Sequence, residues 1–266
     1  MRNALAVSLL SLALASVAGA ATLQESFDHT YDARAGATLS LDNVNGGITL
    51  RAWDQPRIQV HAVKKVTSSN DKAAKERMAD LRIEATPRDG GLQLATRDPH
   101  ANGGLMDWLF SPSVNASVTY EISMPRSMNV DVDNVNGTIQ ISDVTGELKL
   151  DTTNGRIEVE RCGGSVDAST TNGSIRADLS APAANKPMAF ETTNGRITLV
   201  VPASFRANID AATTNGAIRS DLPVTTNGFE KGSLRGVMNG GGATLRLRTT
   251  NGQIEIKTPS PATAAK

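Results

Sequence analysis

The sequence predicts an all-β chain: a β-solenoid with coils of about 18–22 residues, preceded by a β-rich cap that carries one short helix. Three observations predict it: a tandem motif, a period-two alternation of apolar residues within each repeat, and a composition suited to thin β layers. Aromatic residues make up 3% of the 266 residues and hydrophobic residues 39%, and there are 23 glycines. A core with so few rings must come from Val, Ile, Leu, Ala and Thr, which pack well on pleated sheets.

The repeat sets the architecture. Thr-Thr-Asn-Gly-x-Ile occurs at 152–157, 170–175, 192–197, 213–218 and 249–254, and Asp-Asn-Val-Asn-Gly at 42–46 and 133–137. A degenerate copy runs from Thr225 to Gly228. The corner pairs from residue 136 onward are Asn136-Gly137, Asn154-Gly155, Asn172-Gly173, Asn194-Gly195, Asn215-Gly216 and Asn251-Gly252, separated by 18, 18, 22, 21 and 36 residues. Leu148, Leu150 and Thr152 share one strand face before the corner, and Ile157 and Val159 share one after it, as half-buried strands require. Each unit therefore holds two short strands and two turns. Asn-Gly between alternating runs also fits an antiparallel β-meander or sandwich. The solenoid is preferred because it explains why every second turn is the same: stacked asparagines form a hydrogen-bonded ladder, while glycine takes up positive φ at a tight corner.

The remaining segments are read in chain order. Residues 1–20 form a signal peptide, with Arg2 at the start, an apolar run from Leu5 to Leu14 and Ala18-Gly19-Ala20 as the cleavage pattern. That run is shorter than the roughly 20 residues a membrane span needs. Residues 21–125 form the N-terminal cap domain, with strands at 57–66, 92–96 and 117–124. Its helix spans 72–81, capped by Asn70 or Asp71, with Met78 and Leu81 on the apolar side. Residues 126–257 form the repeat domain, and the Pro/Thr/Ala-rich residues 258–266 a disordered tail.

The Val-x-Asn-Gly-x-Ile strands, the helix-bearing insertion, the run Val118-Thr119-Tyr120-Glu121-Ile122-Ser123-Met124-Pro125 and the tandem Thr-x-Asn-Gly-x-Ile units resemble the bacterial putative-adhesin family of β-strand repeats, domain of unknown function 4097. The resemblance covers nearly all of the chain after the leader. It implies an exported, non-catalytic repeat protein with a right-handed β-solenoid, and it brings no catalytic residues to carry over. The degenerate unit at Asn227 and the Gly-rich stretch 236–242 depart from its pattern.

Signals for chemistry are sparse. With 27 Lys+Arg against 27 Asp+Glu the chain has no net charge, which argues against a nucleic-acid partner. His29, His61 and His100 sit in no nucleophile or metal motif, no phosphate-binding loop occurs, and no cofactor is expected. The calcium-binding β-roll repeat is absent, so no metal site is expected. Cys162, the single cysteine, reads as a small apolar filler at a turn rather than a reactive thiol.

Two candidate binding surfaces remain. Arg156, Arg176, Arg196 and Arg219 follow successive corners and form an expected basic column. Asp131, Asp133, Asp151, Asp167, Glu191 and Asp210 precede the corners and form an acidic ribbon beside it. This platform either binds an anionic or sugar ligand or is solvated surface with cross-strand ion pairs. The loop 98–112, with Trp108 and Phe110, either docks a partner or folds back as a plug. The sequence thus points to a non-catalytic exported binding or scaffold module of the bacterial envelope, periplasmic or at the cell surface. Its partner would be an envelope protein, a polysaccharide or its own kind. A polysaccharide-active β-helix enzyme and an accessory of envelope-stress signalling stand as alternatives.

Overall fold

The computed structural model describes residues 12–15, 21–99, 114–183, 185–226 and 231–259. The loop residues Trp108 and Phe110, the degenerate motif residue Asn227, most of residues 1–20, where a signal peptide is expected, and residues 260–266 lie outside them. The described chain is all-β apart from one helix, and its strands form two large sheets in which most neighbours run parallel.

The strands preceding the corners make one sheet. These are β3 (Thr38–Asn45), β9 (Asn129–Asn136), β11 (Leu148–Asn154), β13 (Val166–Asn172), β15 (Met188–Asn194), β17 (Ala207–Asn215) and β21 (Thr244–Asn251). The strands following the corners make the other: β4 (Ile48–Trp53), β10 (Ile139–Ser142), β12 (Ile157–Gly164), β14 (Ile175–Pro182), β16 (Ile197–Val200), β18 (Ile218–Ser220) and β22 (Ile254–Lys257). We call these the corner-entry and corner-exit sheets. Each Asn-Gly corner carries the chain from the first to the second, and equivalent residues of neighbouring units are Cα partners in parallel register. The antiparallel meander is excluded for the repeat.

Period-two alternation places the core. Leu148, Leu150 and Thr152 pair with Val166, Ala168 and Thr170, and all six are buried. Across from them lie Ile139, Ile157, Ile175, Ile197 and Ile254, again in one buried row. The aliphatic rows merge into a single core that runs the length of both sheets and crosses residue 125 without a break. The motif copy at Asn45-Gly46, assigned by sequence to the cap, is itself a stacked unit: β3 pairs with β9 and β4 with β10.

Sequence order is not spatial order. β15 pairs with β21, and β21 pairs with β17, so the last unit of the chain is intercalated between the units of Asn194 and Asn215. The corner-exit sheet repeats this, with β22 between β16 and β18. The end of the stack is therefore the Asn215 unit. Its corner-entry strand is covered by the antiparallel β20 (Ser233–Met238), which pairs in turn with β19 (Val224–Thr226).

At the opposite end β6 (Arg82–Arg88) and β7 (Gly91–Arg97) extend the corner-entry sheet. β8 (Val114–Pro125), β5 (Arg57–Ser68), β2 (Ala21–Asp32) and β1 (Leu12–Ala15) extend the corner-exit sheet. The helix α1 (Asp71–Asp80) forms where predicted. Asn70 is its N-cap, its side-chain oxygen accepting from the amides of Lys72 and Ala73 at 3.0 and 3.1 Å. Ala74, Met78 and Leu81 are buried, and the helix packs on β2, β5 and β8.

Candidate functional site: the threonine face beside the asparagine ladder

Three sets of hydrogen bonds lock each corner to the next. Side-chain amides form an unbroken ladder: Asn136 donates to Asn45 at 2.8 Å, Asn154 to Asn136, Asn172 to Asn154 and Asn194 to Asn172 at 2.9 Å, then Asn251 to Asn194 and Asn215 to Asn251 at 2.8 Å. Glycine amides donate to the next asparagine carbonyl, as from Gly155 to Asn172 at 3.1 Å and from Gly195 to Asn251 at 3.0 Å. The buried first threonines other than Thr152 donate to a neighbouring glycine carbonyl, as Thr170 does to Gly155 at 3.0 Å and Thr192 to Gly173 at 2.9 Å. Aligned bonds of this kind polarise one another along the column.

The reason for glycine differs from the one expected. Only the first two corner glycines, Gly46 and Gly137, have positive φ, at 126° and 146°. At Gly155, Gly173, Gly195, Gly216 and Gly252 the constraint is contact. A Cβ there would lie 1.8–1.9 Å from the carbonyl oxygen of the adjacent corner glycine. The column is glycine because backbones touch.

The polar line changes character toward Asn45. Asn134 and Asn43 replace the buried threonine. Asn43 accepts from Thr96 at 2.8 Å, and the Thr96 hydroxyl lies 2.7 Å from that of Tyr120. Tyr120 is fully buried, and burial pushes its phenol up to about 12 against the opposing Thr96 hydrogen bond. Asn134 donates to the carbonyls of both Gly46 and Gly137, so the Gly137 carbonyl that Thr152 would use by analogy is taken. The Thr152 hydroxyl and the Asn134 carbonyl oxygen are both left buried without a partner.

The second threonine of each motif points outward. Thr153, Thr171, Thr193, Thr250 and Thr214 are exposed and follow one another across the corner-entry sheet, with strands about 4.8 Å apart. Beside them runs the column Asp151, Ser169, Glu191, Arg248, Ala212. Together the two rows line a shallow groove of about 450 Å³ bordered by Thr171, Thr193, Thr250, Thr214, Glu191 and Arg248. Its hydroxyls both donate and accept, Glu191 accepts and Arg248 donates, so the surface matches a polyhydroxylated ligand rather than a highly charged one. The Thr-Thr doublets contain this signal: once the first threonine is assigned to the core, period two sends the second to solvent.

The expected arginine column does not form. Arg156 and Arg196 directly follow their corner glycines and lie in a row with Ser174, Gln253 and Ala217. Arg176 and Arg219 lie in the next outward row, which reads Gln140, Glu158, Arg176, Thr198, Glu255, Arg219. Opposite charges alternate, and Arg156 bonds Glu158 at 3.0 Å. The acidic ribbon is likewise split between two rows and interrupted by Lys149, Arg246 and Arg248. Lys149 lies 3.2 Å from Asp131 and 3.7 Å from Asp151, and Asp210 pairs with Arg248 and Arg235. The two expected ribbons also belong to different sheets.

Burial raises the carboxyl of Asp151, and that of Asp42, above the usual carboxylate range, with Asp133 and Asp131 adding to both and Asp167 to that of Asp151; Lys149 opposes the shift at Asp151 and Arg97 that at Asp42. Among the described residues no group of three or more His, Cys, Asp or Glu side chains is placed to hold a metal ion. Cys162 is buried, and burial pushes its thiol up to about 11. His61 lies 2.5 Å from Asp28, far from the threonine rows in the stack.

These features define a class: repeat proteins whose like corners stack in parallel register. The chain belongs to the Toastrack family DUF4097, whose model matches residues 38–257. No curated protein matches the sequence. Among solved structures it is similar to a putative cell adhesion protein from Clostridium sporogenes, at 16% identity and a TM-score of 0.47, over 88% of this chain and 100% of that one. It is similar also to a putative adhesin from Bacteroides fragilis, at 11% identity and a TM-score of 0.30, over 88% and 97%. Both likenesses are loose, and the family assignment rests on the sequence match. No helix among the described residues is long and apolar enough to cross a membrane.

Proposed function

We propose that this protein is a non-catalytic binding module exported to the bacterial cell envelope, a single β-solenoid with an N-terminal cap, which holds an extended, largely uncharged polysaccharide along its threonine face. The observation that carries the reading is the row Thr171, Thr193, Thr250, Thr214 lining the groove with Glu191 and Arg248. The row repeats at the strand spacing of about 4.8 Å, a length comparable with one pyranose unit of an extended glycan. Successive hydroxyls can thus meet successive sugars in the same way. The arginines are poorly suited to this task, because they stand in two rows and acids alternate with Arg176 and Arg219 in one of them.

The test is a glycan array on the intact protein, followed by titration of the best ligand. Replacing Thr193 and Thr250 with valine removes two hydroxyls and is expected to weaken binding about tenfold or more, at ~1 kcal/mol per hydrogen bond. The triple variant Arg156→Ser, Arg176→Ser, Arg196→Ser is expected to bind as the parent does. The reverse pattern would move the site to the corner-exit sheet, and absence of any glycan ligand would end the polysaccharide reading. Shortening of the bound glycan on incubation would contradict a non-catalytic role.

A further inference from the structure

Sheet edges invite pairing with other chains, and proteins usually blunt them. Three of the four outer edges are blunted. β18 and β19 have three residues each, and β18 is followed closely by Pro223. β6 contains Pro87 together with Arg82, Glu84 and Arg88. The fourth edge is the four-residue β1 laid on β2, and β2 has 12 residues, contains neither Pro nor Lys, and pairs with β5 along its whole inner side. On its outer side β1, from the leader, covers only Thr22–Glu25, and no strand among the described residues flanks Phe27–Asp32.

We infer that, once the leader is removed, β2 pairs antiparallel with β2 of a second copy of this chain. The pairing extends the two corner-exit sheets into one across a twofold axis at Phe27. The strand's own pattern selects that register. Leu23, Glu25, Phe27, His29 and Tyr31 share one face, on which the rings of Phe27 and His29 meet tilted, with centroids 4.2 Å apart, and those of His29 and Tyr31 likewise at 6.2 Å. With Phe27 opposite its copy, Glu25 faces His29, Leu23 faces Tyr31 and Ser26 faces Asp28. Attractive or neutral groups thus oppose one another at every position. An axis at Glu25 or at Asp28 instead sets two carboxylates directly opposite, one at Ser26 sets the Glu25 carboxylate against the Phe27 ring, and one at His29 sets two imidazoles opposite. A twofold interface must be self-complementary in this way. β1 occupies part of the same edge, so the uncleaved chain holds it closed.

The inference rests on leader removal, and the experiment separates the two. The chain is produced in bacteria with its leader, its mass is determined, and its sedimentation is followed up to about 100 µM, a range that detects weak association. The expected result is a chain beginning near Ala21 that doubles its sedimenting mass with concentration. Phe27→Cys is expected to give a reducible covalent dimer, because Cys162 is buried and position 27 faces itself. Asp32→Cys, ten residues from its copy in that register, is expected to give none. Should Phe27→Cys fold poorly, the pair Ser26→Cys with Asp28→Cys tests the same register. A retained leader would overturn the export reading. A cleaved chain that stays monomeric, or that cross-links at 32 but not at 27, would overturn the dimer alone.

Discussion

Replacing Gly195 with alanine probes the stacked backbones most severely. The added Cβ would sit 1.8 Å from the carbonyl oxygen of Gly173, which in turn is held by the Thr192 hydroxyl. An ordinary contact needs more than 3 Å, so the two corners must separate by over an ångström. That movement stretches the hydrogen bonds between these two corners: the Gly173 N–H to the Asn194 carbonyl, the Asn194 side-chain amide to Asn172 and the Thr192 hydroxyl to the Gly173 carbonyl. Overpacking costs about 1–3 kcal/mol and each of the three weakened bonds about 1 kcal/mol, so the total is about 4–6 kcal/mol. For a chain of this size that lowers Tm by about 8–24 °C. Gly47→Ala is the matched control, since its Cβ would meet only the Thr138 carbonyl oxygen at 3.8 Å. Thermal unfolding followed by circular dichroism compares the two. Equal melting temperatures for both variants would refute contact as the reason for the glycine column.

Two further outcomes follow from the same geometry. Asn134→Thr should free the Gly137 carbonyl for the Thr152 hydroxyl, remove one orphaned acceptor and raise stability by about 1 kcal/mol; an unchanged or lower denaturation midpoint would count against that accounting. Asp151→Asn should raise Tm at neutral pH. Burial raises the folded-state carboxyl of Asp151 above its ordinary 3.8, so ionisation opposes folding. The penalty is absent below the unfolded-state value, grows as pH rises toward the folded-state value and is complete above it. The advantage of the variant should therefore vanish as pH falls toward 3.8, and a gain that persists there would exclude the titration as its cause.

Much of the fold can be read from the sequence because local pattern and tertiary role coincide. Leu148, Leu150 and Ile157 announce their faces by period two, and Asn154-Gly155 announces its corner. Asn70 marks the helix start by its own capping chemistry. The intercalation of the last unit cannot be read this way. Near-identical corners are interchangeable partners, so Asn194 stacks as well on Asn251 as on Asn215. What decides is the hairpin after β18, whose corner is degenerate and whose strands cover the stack end instead of adding a rung. The arginine rows were open to inspection: Arg156 and Arg196 stand one residue after glycine, whereas Arg176 and Arg219 stand three after it. The outward threonines become legible only once the first threonine of each doublet is assigned to the core, which the Asn-Gly corner alone does not dictate. Glycine's role could not be inferred, since contact between backbones leaves no mark in the chain that distinguishes it from positive φ.

The order of rungs is what brings Thr193, Thr250 and Thr214 side by side, and disulfide trapping in a Cys162→Ala background measures it. With Asn194 and Asn251 both changed to cysteine, Cα partners on neighbouring strands lie about 4.8 Å apart, within bonding range. With Asn194 and Asn215 changed instead, the pair lies two strands apart, about 9.6 Å, beyond it. Rapid oxidation of the 194–251 pair alone is the predicted result, and a bond formed by the 194–215 pair but not by the 194–251 pair would contradict the arrangement on which the threonine face depends.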